Sequence, residues 1–258
     1  MTDYRGHKRP FKRKMIKQKT VDLSKLVPAN TRFTHVIGID EVGWGAIAGP
    51  LVVSAAVLPF VYDNPVIKKT ASGVQYGFKD SKRFTTRNSR IAGAAYAKNT
   101  VLAHETLLAL PEAVYTYGPG KALSYLQRKL VKRLLTKYPN ALIVVDGDKS
   151  VAGVPKHQQL AVIEADSYVP AVSAASIIAK VTRDEYMIEL GAELFPWWEF
   201  HKNKGYPTPE HKSKLKAWGP TRIHRMNIDL VKVAFKEKGW YEDGAEATEG
   251  HQARSAYS

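Results

Sequence analysis

The stretch that most constrains the fold is residues 34–50, where an apolar segment runs directly into two acids. Residues 36–39 are β-branched apart from Gly38, which predicts a buried strand. Asp40 and Glu41 follow at once. Because a buried carboxylate is costly unless it is paired or bound to a metal, two acids at the end of such a strand indicate a function.

A turn made of small residues follows the two acids. Gly43-Trp44-Gly45 and then Gly49 and Pro50 allow a tight backbone path, in which N–H groups can come close to a phosphate or a sugar. A strand that simply ends in a polar glycine turn is the alternative for so short a motif. Other segments of the chain are needed to distinguish a functional site from a simple strand end.

The same pattern occurs twice more. Residues 141–145 are apolar and end at Asp146, and residues 160–163 lead to Asp166. Residues 51–58 form another apolar segment that can pair antiparallel with the first strand, and residues 119–138 and 170–189 have helical patterns. Strands alternating with helices predict an α/β sheet with an acidic cluster at one edge, formed by Asp40, Glu41, Asp146 and Asp166.

Four carboxylates near one point would repel one another unless they bound protons or cations. Oxygen ligands are what Mg²⁺ and Mn²⁺ prefer, and the chain has no cysteine that could hold zinc. We therefore expect a site for Mg²⁺ or Mn²⁺, with two ions, of the type that hydrolyses phosphodiesters. Each acid taken alone could equally be a helix cap or a surface charge.

The net charge of +15 favours a polyanionic partner, nucleic acid before anionic membrane. Residues 1–20 carry eight Lys or Arg against a single Asp3, a net charge of +7, which is typical of a flexible arm that attracts phosphates or merely aids solubility. No apolar segment approaches the roughly 20 residues of a membrane span. With no cysteine, a reducing compartment fits, and we expect a cytoplasmic monomer that does not bind membranes.

Two other segments are expected to lie at the surface. Residues 59–78 contain scattered Pro, Asn and Gly and predict a long loop, and residues 196–209 are aromatic, basic and interrupted by prolines. The predicted organisation is a basic arm and linker (1–31), a catalytic domain (32–195), a helical C-terminal part that contacts the substrate (196–241) and a disordered acidic tail (242–258).

Seven blocks, in order along the chain, resemble the ribonuclease HII (type 2 ribonuclease H) family. They are residues 38–45 (Gly-Ile-Asp-Glu-Val-Gly-Trp-Gly) with 48–50 (Ala-Gly-Pro), 79–82 (Lys-Asp-Ser-Lys), 144–147 (Val-Val-Asp-Gly), 165–171, 174–184, 201–206 (His-Lys-Asn-Lys-Gly-Tyr) and 219–225. The resemblance implies a ribonuclease H-like mixed sheet flanked by helices, with a small helical C-terminal part. It also implies metal-dependent cleavage of RNA in RNA–DNA hybrids, or of DNA duplexes 5′ to an embedded ribonucleotide, leaving a 3′-hydroxyl and a 5′-phosphate.

The resemblance places the catalytic and metal-binding acids at Asp40, Glu41, Asp146 and Asp166, with Asp184 as a possible addition. It implies substrate contacts from Gly43, Trp44, Gly45, Ser81, Lys82, Tyr206 and Arg225, with Lys202, Lys204 and His224 lining the duplex. Tyr206 matches a tyrosine that stacks on the sugar beside the ribonucleotide, and an aromatic platform suits that task.

Three residues depart from the family pattern. Trp44 stands where the family has Arg or Lys, which predicts a weaker grip on phosphate and poorer discrimination of single ribonucleotides. Asp148 replaces an Asn and could compete for metal, and Pro207 replaces a glycine and would stiffen its loop. Another nuclease of the same fold, or a nucleic-acid-binding protein with weakened catalysis, are the competing interpretations.

Overall fold

The computed structural model describes residues 22–27, 31–64, 66–70 and 73–241. Its strands are β1 (His35–Val42), β2 (Leu51–Pro59), β3 (Val66–Thr70), β4 (Gly73–Tyr76), β5 (Ala103–Ala109), β6 (Ala141–Asp146) and β7 (Gln159–Val162). Its helices are α1 (Arg87–Thr100), α2 (Pro111–Tyr117), α3 (Pro119–Lys137), α4 (Pro170–Leu194), α5 (Phe200–Asn203), α6 (Pro209–Trp218) and α7 (Asp229–Lys238). The predicted basic arm and acidic tail lie outside the described residues.

The main sheet is mixed and has the strand order β5-β2-β1-β6-β7. β1 pairs antiparallel with β2, as the sequence predicts, and parallel with β6, which in turn pairs parallel with β7. Ile39 and Val145 are the last pair between β1 and β6, so the next residues, Asp40 and Asp146, lie side by side where the two strands separate. The parallel order of three strands is therefore what gathers the acids at one edge.

Helices cover both faces of this sheet because successive strand residues point to opposite sides. Val36, Leu142 and Val144 belong to one core with α1 and α4, whereas Ile37, Ile39 and residues of β2 pack on α3. The runs of apolar residues in β1, β2 and β6 follow from this two-sided burial. The predicted α/β class with a mixed sheet is confirmed.

Gly38 allows α4 to lie directly against β1. A Cβ added at this position would lie 2.2 Å from the carbonyl carbon of Ala171 and 2.3 Å from the amide nitrogen of Val172. Real Cβ contacts are never that short, so only glycine permits the approach. The close packing places the inner face of α4 beside the acidic edge.

The prediction that residues 196–209 lie at the surface holds for part of this segment but is wrong for two of its aromatic residues. Trp198 and Phe200 are fully buried in a third core, formed with Met187 of α4, Leu215 of α6 and Val231 of α7. Aromatic rings are large apolar groups, and prolines at the ends of short helices do not prevent their burial. Trp197, next to them, is exposed.

One smaller expectation also changes. Residues 59–78 include the β3–β4 hairpin and are not a continuous loop. Helix α1 runs to Thr100, and β5 begins shortly after it at Ala103. The cap of α1 is Thr86, while Asp80 caps a short turn at Ser81–Arg83. Among the described residues, no helix is both long and apolar enough to cross a membrane.

Candidate metal centre and substrate-binding surface

Three of the four predicted acids meet at the edge of the sheet. Asp40 comes from β1, Asp146 from the end of β6, and Asp166 from a short 3-10 turn, Ala165–Ser167, that follows β7. One carboxylate oxygen of each lies within 4.8 Å of the others, and this is the set of metal-ligating side chains found in the described part of the chain. Residues separated by more than a hundred positions in sequence therefore form one site.

Glu41 lies beside this group but not in it, because consecutive strand residues point in opposite directions. Asp148 is exposed and is not in the group either. Asp184, the possible addition, is paired with Lys180 of the same helix at 2.7 Å. The structure thus brings together Asp40, Asp146 and Asp166, keeps Glu41 at the margin, and leaves Asp184 engaged elsewhere.

Burial makes the negative charges at this edge costly. Burial, and next the charges of Glu41 and Asp146, raise the pKa of Asp40 well above its usual value. Burial is also the main cause that raises the pKa of Glu41 to about 7 and that of Asp166 to about 6. A cation placed among these groups would favour their ionised forms.

The polar atoms of the site fit an oxygen-bound divalent cation. Asp146 accepts a hydrogen bond from the amide of Ala165 at 2.7 Å, and Asp40 accepts one from the amide of Glu41 at 2.8 Å. Oδ1 of Asp166 is buried and has no hydrogen-bond partner. A buried oxygen without a partner is rare, and here it is explained if the atom is a metal ligand.

Lys82 provides the positive charge nearest to the acids. Its ammonium group lies 3.0 Å from Asp166 and 3.8 Å from Asp80, while most of its side chain is exposed. Ser81 lies on the same turn and accepts a hydrogen bond from Ser176 of α4 at 3.0 Å. Both predicted phosphate contacts, Ser81 and Lys82, are therefore next to the acids.

The glycine turn, residues 43–50, is supported on its inner side by a buried arginine. Arg225, predicted to contact the duplex, is only 1% exposed, and its guanidinium donates to the carbonyls of Gly43 at 2.6 Å and Gly49 at 2.9 Å. This corrects the prediction, because a buried group bonded to backbone carbonyls supports the turn and cannot reach a phosphate. His224 is buried as well and does not line the duplex.

Tyr206 stands beside the glycine turn. The carbonyl of Gly205 accepts hydrogen bonds from the amides of Ile47 and Ala48, and the ring of Tyr206 lies 5.0 Å from the guanidinium of Arg183. Arg183 is fully buried and donates to the carbonyls of Ala48, Pro50 and Lys204. One arginine therefore ties the turn to the loop that carries Tyr206.

Ser176 and Arg183 are site residues that had no predicted role, although both lie in the block 174–184 that resembles the family. Their type and spacing are ordinary for a helix, and what distinguishes them is the direction in which they point once α4 packs on β1. The sequence carries one signal for Arg183, because an arginine is uncommon within the apolar face of a helix.

Comparisons with known proteins match one family over most of the chain. A family model described as Ribonuclease HII matches residues 37–238. The chain is 34% identical over 201 residues to a ribonuclease HII of Pelotomaculum thermopropionicum, covering 78% of this chain and 70% of the relative. It is 32% identical over 210 residues to a ribonuclease HII of Chloroherpeton thalassium, covering 81% of this chain and 97% of the relative.

Solved structures share the fold at lower identity. Bst-RNase HIII, solved in complex with Mn²⁺, superposes with a TM-score of 0.59 at 19% identity, covering 81% of this chain and 71% of that one. The ribonuclease H2 of Pyrococcus horikoshii OT3 gives a TM-score of 0.50 at 24% identity, covering 79% of this chain and 98% of that one. These likenesses support the architecture described above.

Proposed function

The chain belongs to the ribonuclease HII family and is a metal-dependent ribonuclease H, and we propose that it cuts ribonucleotide-containing duplexes at the edge formed by Asp40, Asp146 and Asp166. Its proposed substrates are the RNA strand of RNA–DNA hybrids and DNA duplexes cut 5′ to an embedded ribonucleotide, with a 3′-hydroxyl and a 5′-phosphate as products. The observation that carries the proposal is the convergence of three carboxylates within 4.8 Å, one with an unpartnered buried oxygen.

Asp40, Asp146 and Asp166 would hold the metal, with Glu41 at the margin of the site. When bound, Mg²⁺ or Mn²⁺, as two ions, would supply Lewis-acid chemistry that lowers the pKa of water and offsets charge on the phosphodiester. The donor set supports this assignment because it consists of carboxylate oxygens only.

The chain's own residues would bind and orient the duplex. Lys82 is exposed beside the acids and can approach a phosphate, with Ser81 next to it. The glycine turn can present backbone N–H groups to the ribose, and Tyr206 can support the neighbouring sugar. The side chain of Trp44 is 39% exposed on the same turn, where it can contact the duplex but offers no positive charge.

We also propose a partner, an oligomeric state and a cellular location for the enzyme. The net charge of +15 supports nucleic acid as its partner. We propose that it acts as a monomer, because one chain supplies all the residues assigned to the site, and in the cytoplasm, which the lack of cysteines suits. The division into arm, catalytic domain, C-terminal part and tail remains a prediction.

The test compares three labelled duplexes: one with a single ribonucleotide in DNA, a full RNA–DNA hybrid, and DNA alone, each in Mg²⁺ and in Mn²⁺. We expect cleavage of the first two only. Asp40→Asn should lower the rate about a thousandfold, the scale of several kcal/mol of lost stabilisation, while the duplex still binds. Asp229→Asn is the control, because Asp229 is an exposed acid that pairs with Lys232.

Two outcomes would contradict the proposal. Wild-type protein that cuts none of the ribonucleotide-containing duplexes in either metal would point to a binding protein that lacks catalysis. Equal cleavage of the all-DNA duplex would point to another nuclease of the same fold.

A further inference from the structure

Two buried histidines connect the loop of Tyr206 to the segment that supports the glycine turn. His211 lies in the first turn of α6, and His224 precedes Arg225 in the connection to α7. Both are 0% exposed, and their Nε2 atoms lie 3.0 Å apart, which is hydrogen-bond distance. A pair of rings in direct contact requires that one Nε2 carries a proton and the other does not.

The outer partners of the two rings determine where each proton lies. Nδ1 of His224 is 3.0 Å from the amide nitrogen of Thr221, which can only donate, so this Nδ1 carries no proton. The hydroxyl of Thr221, 2.9 Å from the same Nδ1, can donate or accept and must then act as a second donor to it. Nδ1 of His211 is 2.8 Å from the carbonyl oxygen of Tyr206, which can only accept, so this Nδ1 carries a proton. For neutral rings, Nε2–H of His224 must then donate to Nε2 of His211, and all four ring nitrogens have a partner.

The neutral state of both rings follows from their surroundings. Burial lowers the pKa of His211 to about 4 and that of His224 well below its usual value. A further proton on Nε2 of His211 would face the Nε2–H group of His224. A further proton on Nδ1 of His224 would face the amide N–H of Thr221. The pair therefore has a single arrangement of protons that its neighbours accept.

The hydrogen bonds of the histidine pair lead to the two parts of the proposed ribose-binding surface, which are Tyr206 and the glycine turn. At one end, the carbonyl of Tyr206 accepts from His211 and also from the amide of Thr208 at 2.8 Å. At the other end, His224 forms a β-bridge with Ala48, and the amide of Gly49 donates to the carbonyl of Ile223 at 2.8 Å. The pair thus links the backbone of Tyr206 to the glycine turn.

We propose that His211 and His224 are positioning residues that fix Tyr206 relative to the turn at 43–45, and thereby set how well the enzyme tells a ribonucleotide-containing duplex from plain DNA. This inference rests on the proposed function, since it deepens the role given to Tyr206. The two histidines do not touch the substrate, because they are buried beneath the surface that would.

The first measurement is the protonation of the rings in the full-length protein at neutral pH by ¹⁵N nuclear magnetic resonance. We expect His211 to be protonated at Nδ1 and His224 at Nε2. A proton on Nδ1 of His224, or a positively charged ring at either position, would overturn the inference whatever the enzyme cleaves.

The second measurement is the ratio of two dissociation constants without divalent metal, for all-DNA duplex and for the same duplex with one ribonucleotide. Loss of a hydrogen bond of about 1 to 1.4 kcal/mol should lower this ratio about five- to tenfold in His211→Phe. His211→Asn keeps a donor near the position of Nδ1 and should restore most of the ratio. Phe200→Leu alters the same core, 5.5 Å from His211, without touching the hydrogen bonds and should leave the ratio unchanged.

The outcomes separate this inference from the proposed function. An unchanged ratio in His211→Phe, or an equal loss in Phe200→Leu, would overturn the positioning role even if the enzyme cleaves as expected. A wild-type ratio of one would overturn it too. Wild-type protein that binds selectively but cleaves nothing would contradict the proposed function alone.

Discussion

Buried and exposed cationic side chains take different roles in this enzyme. Arg183 and Arg225 are both buried and donate to backbone carbonyls of the turn at 43–50, whereas Lys82 is exposed beside the acids. Carbonyl oxygens accept hydrogen bonds from all three nitrogens of the Arg183 guanidinium, whereas Nη2 of Arg225 has no partner among the described residues. The shape of the turn therefore depends on these arginines and not on the side chain at position 44.

Trp44→Arg tests what that exposed side chain contributes. The turn should keep its shape, and a guanidinium should gain a charge-assisted contact with phosphate, raising kcat/KM on the single-ribonucleotide duplex about tenfold. Trp197→Arg is the matched control, because Trp197 is also exposed and the change adds the same charge away from the turn. Steady-state kinetics showing no gain, or an equal gain in the control, would remove this role of Trp44.

At the scale of elements, α4 connects the core to the site. One face of the helix packs on β1 and β2 through small residues such as Ala171 and Ala175. The helix also carries Ser176 to the acidic edge and Arg183 to the glycine turn. The contact between α4 and β1 is close because Gly38 has no side chain. Stability and site geometry therefore depend on the same interface.

Gly38→Ala should separate α4 from β1 and destabilise the protein by about 1 to 3 kcal/mol, the usual cost of overpacking a core. Gly120→Ala is the control, since Gly120 lies in α3 and a Cβ there would meet nothing within 4 Å. That change should stabilise by about 0.5 to 1 kcal/mol, because alanine suits a helix better. Urea unfolding measures both, and a Gly38→Ala protein as stable as wild type would contradict the close packing.

At the scale of the whole molecule, stability, pH and metal are linked through the acidic edge. The pKa values of Asp40, Glu41 and Asp166 are raised in the folded protein, so without metal the fold binds protons there that the unfolded chain has released. That contribution to stability is present at low pH and is lost as the pH rises through about 6 to 7. The buried histidines, whose pKa values are lowered, act in the opposite direction.

A comparison with and without metal at each pH isolates the acids from the histidines. Mg²⁺ or Mn²⁺ binds the folded, ionised site, so it should raise the melting temperature more at about pH 7.5 than at about pH 5. Thermal unfolding in chelator and in excess metal measures this shift. Asp40→Asn should remove most of it, and a shift in wild type that is equal at both pH values would contradict a site made of these acids.

The charge of the whole chain predicts how binding depends on salt. Residues 1–20 carry eight of the cationic side chains, and they lie outside the described residues. Replacing those eight by Gln should make the plot of log Kd against log salt shallower, by roughly 0.9 for each duplex phosphate that these side chains neutralise in the wild-type protein. Fluorescence anisotropy at several salt concentrations checks this. An unchanged slope would show that these charges do not bind the duplex.

The sequence determined much of the fold and of the site. The apolar runs of β1, β2 and β6 could be located because two-sided burial leaves almost no polar residue in them, and the helical stripe of α3 was equally clear. Asp40, Asp146 and Asp166 could be assigned because acids directly after such strands have few structural uses. Local pattern is sufficient where burial is complete and the strand order follows from short connections.

Only the tertiary structure decided which side chains face the duplex and which face the core. Arg225 and His224 were expected at the surface, and Trp198 and Phe200 outside any core, yet all four are buried. Nothing in the local sequence distinguishes them, because their burial depends on α4, α6 and α7 meeting around Trp198 and on carbonyls of a distant turn accepting the buried N–H groups. A polar residue belongs to a core when its partners come from elsewhere in the chain, and those partners are known only once the chain has folded.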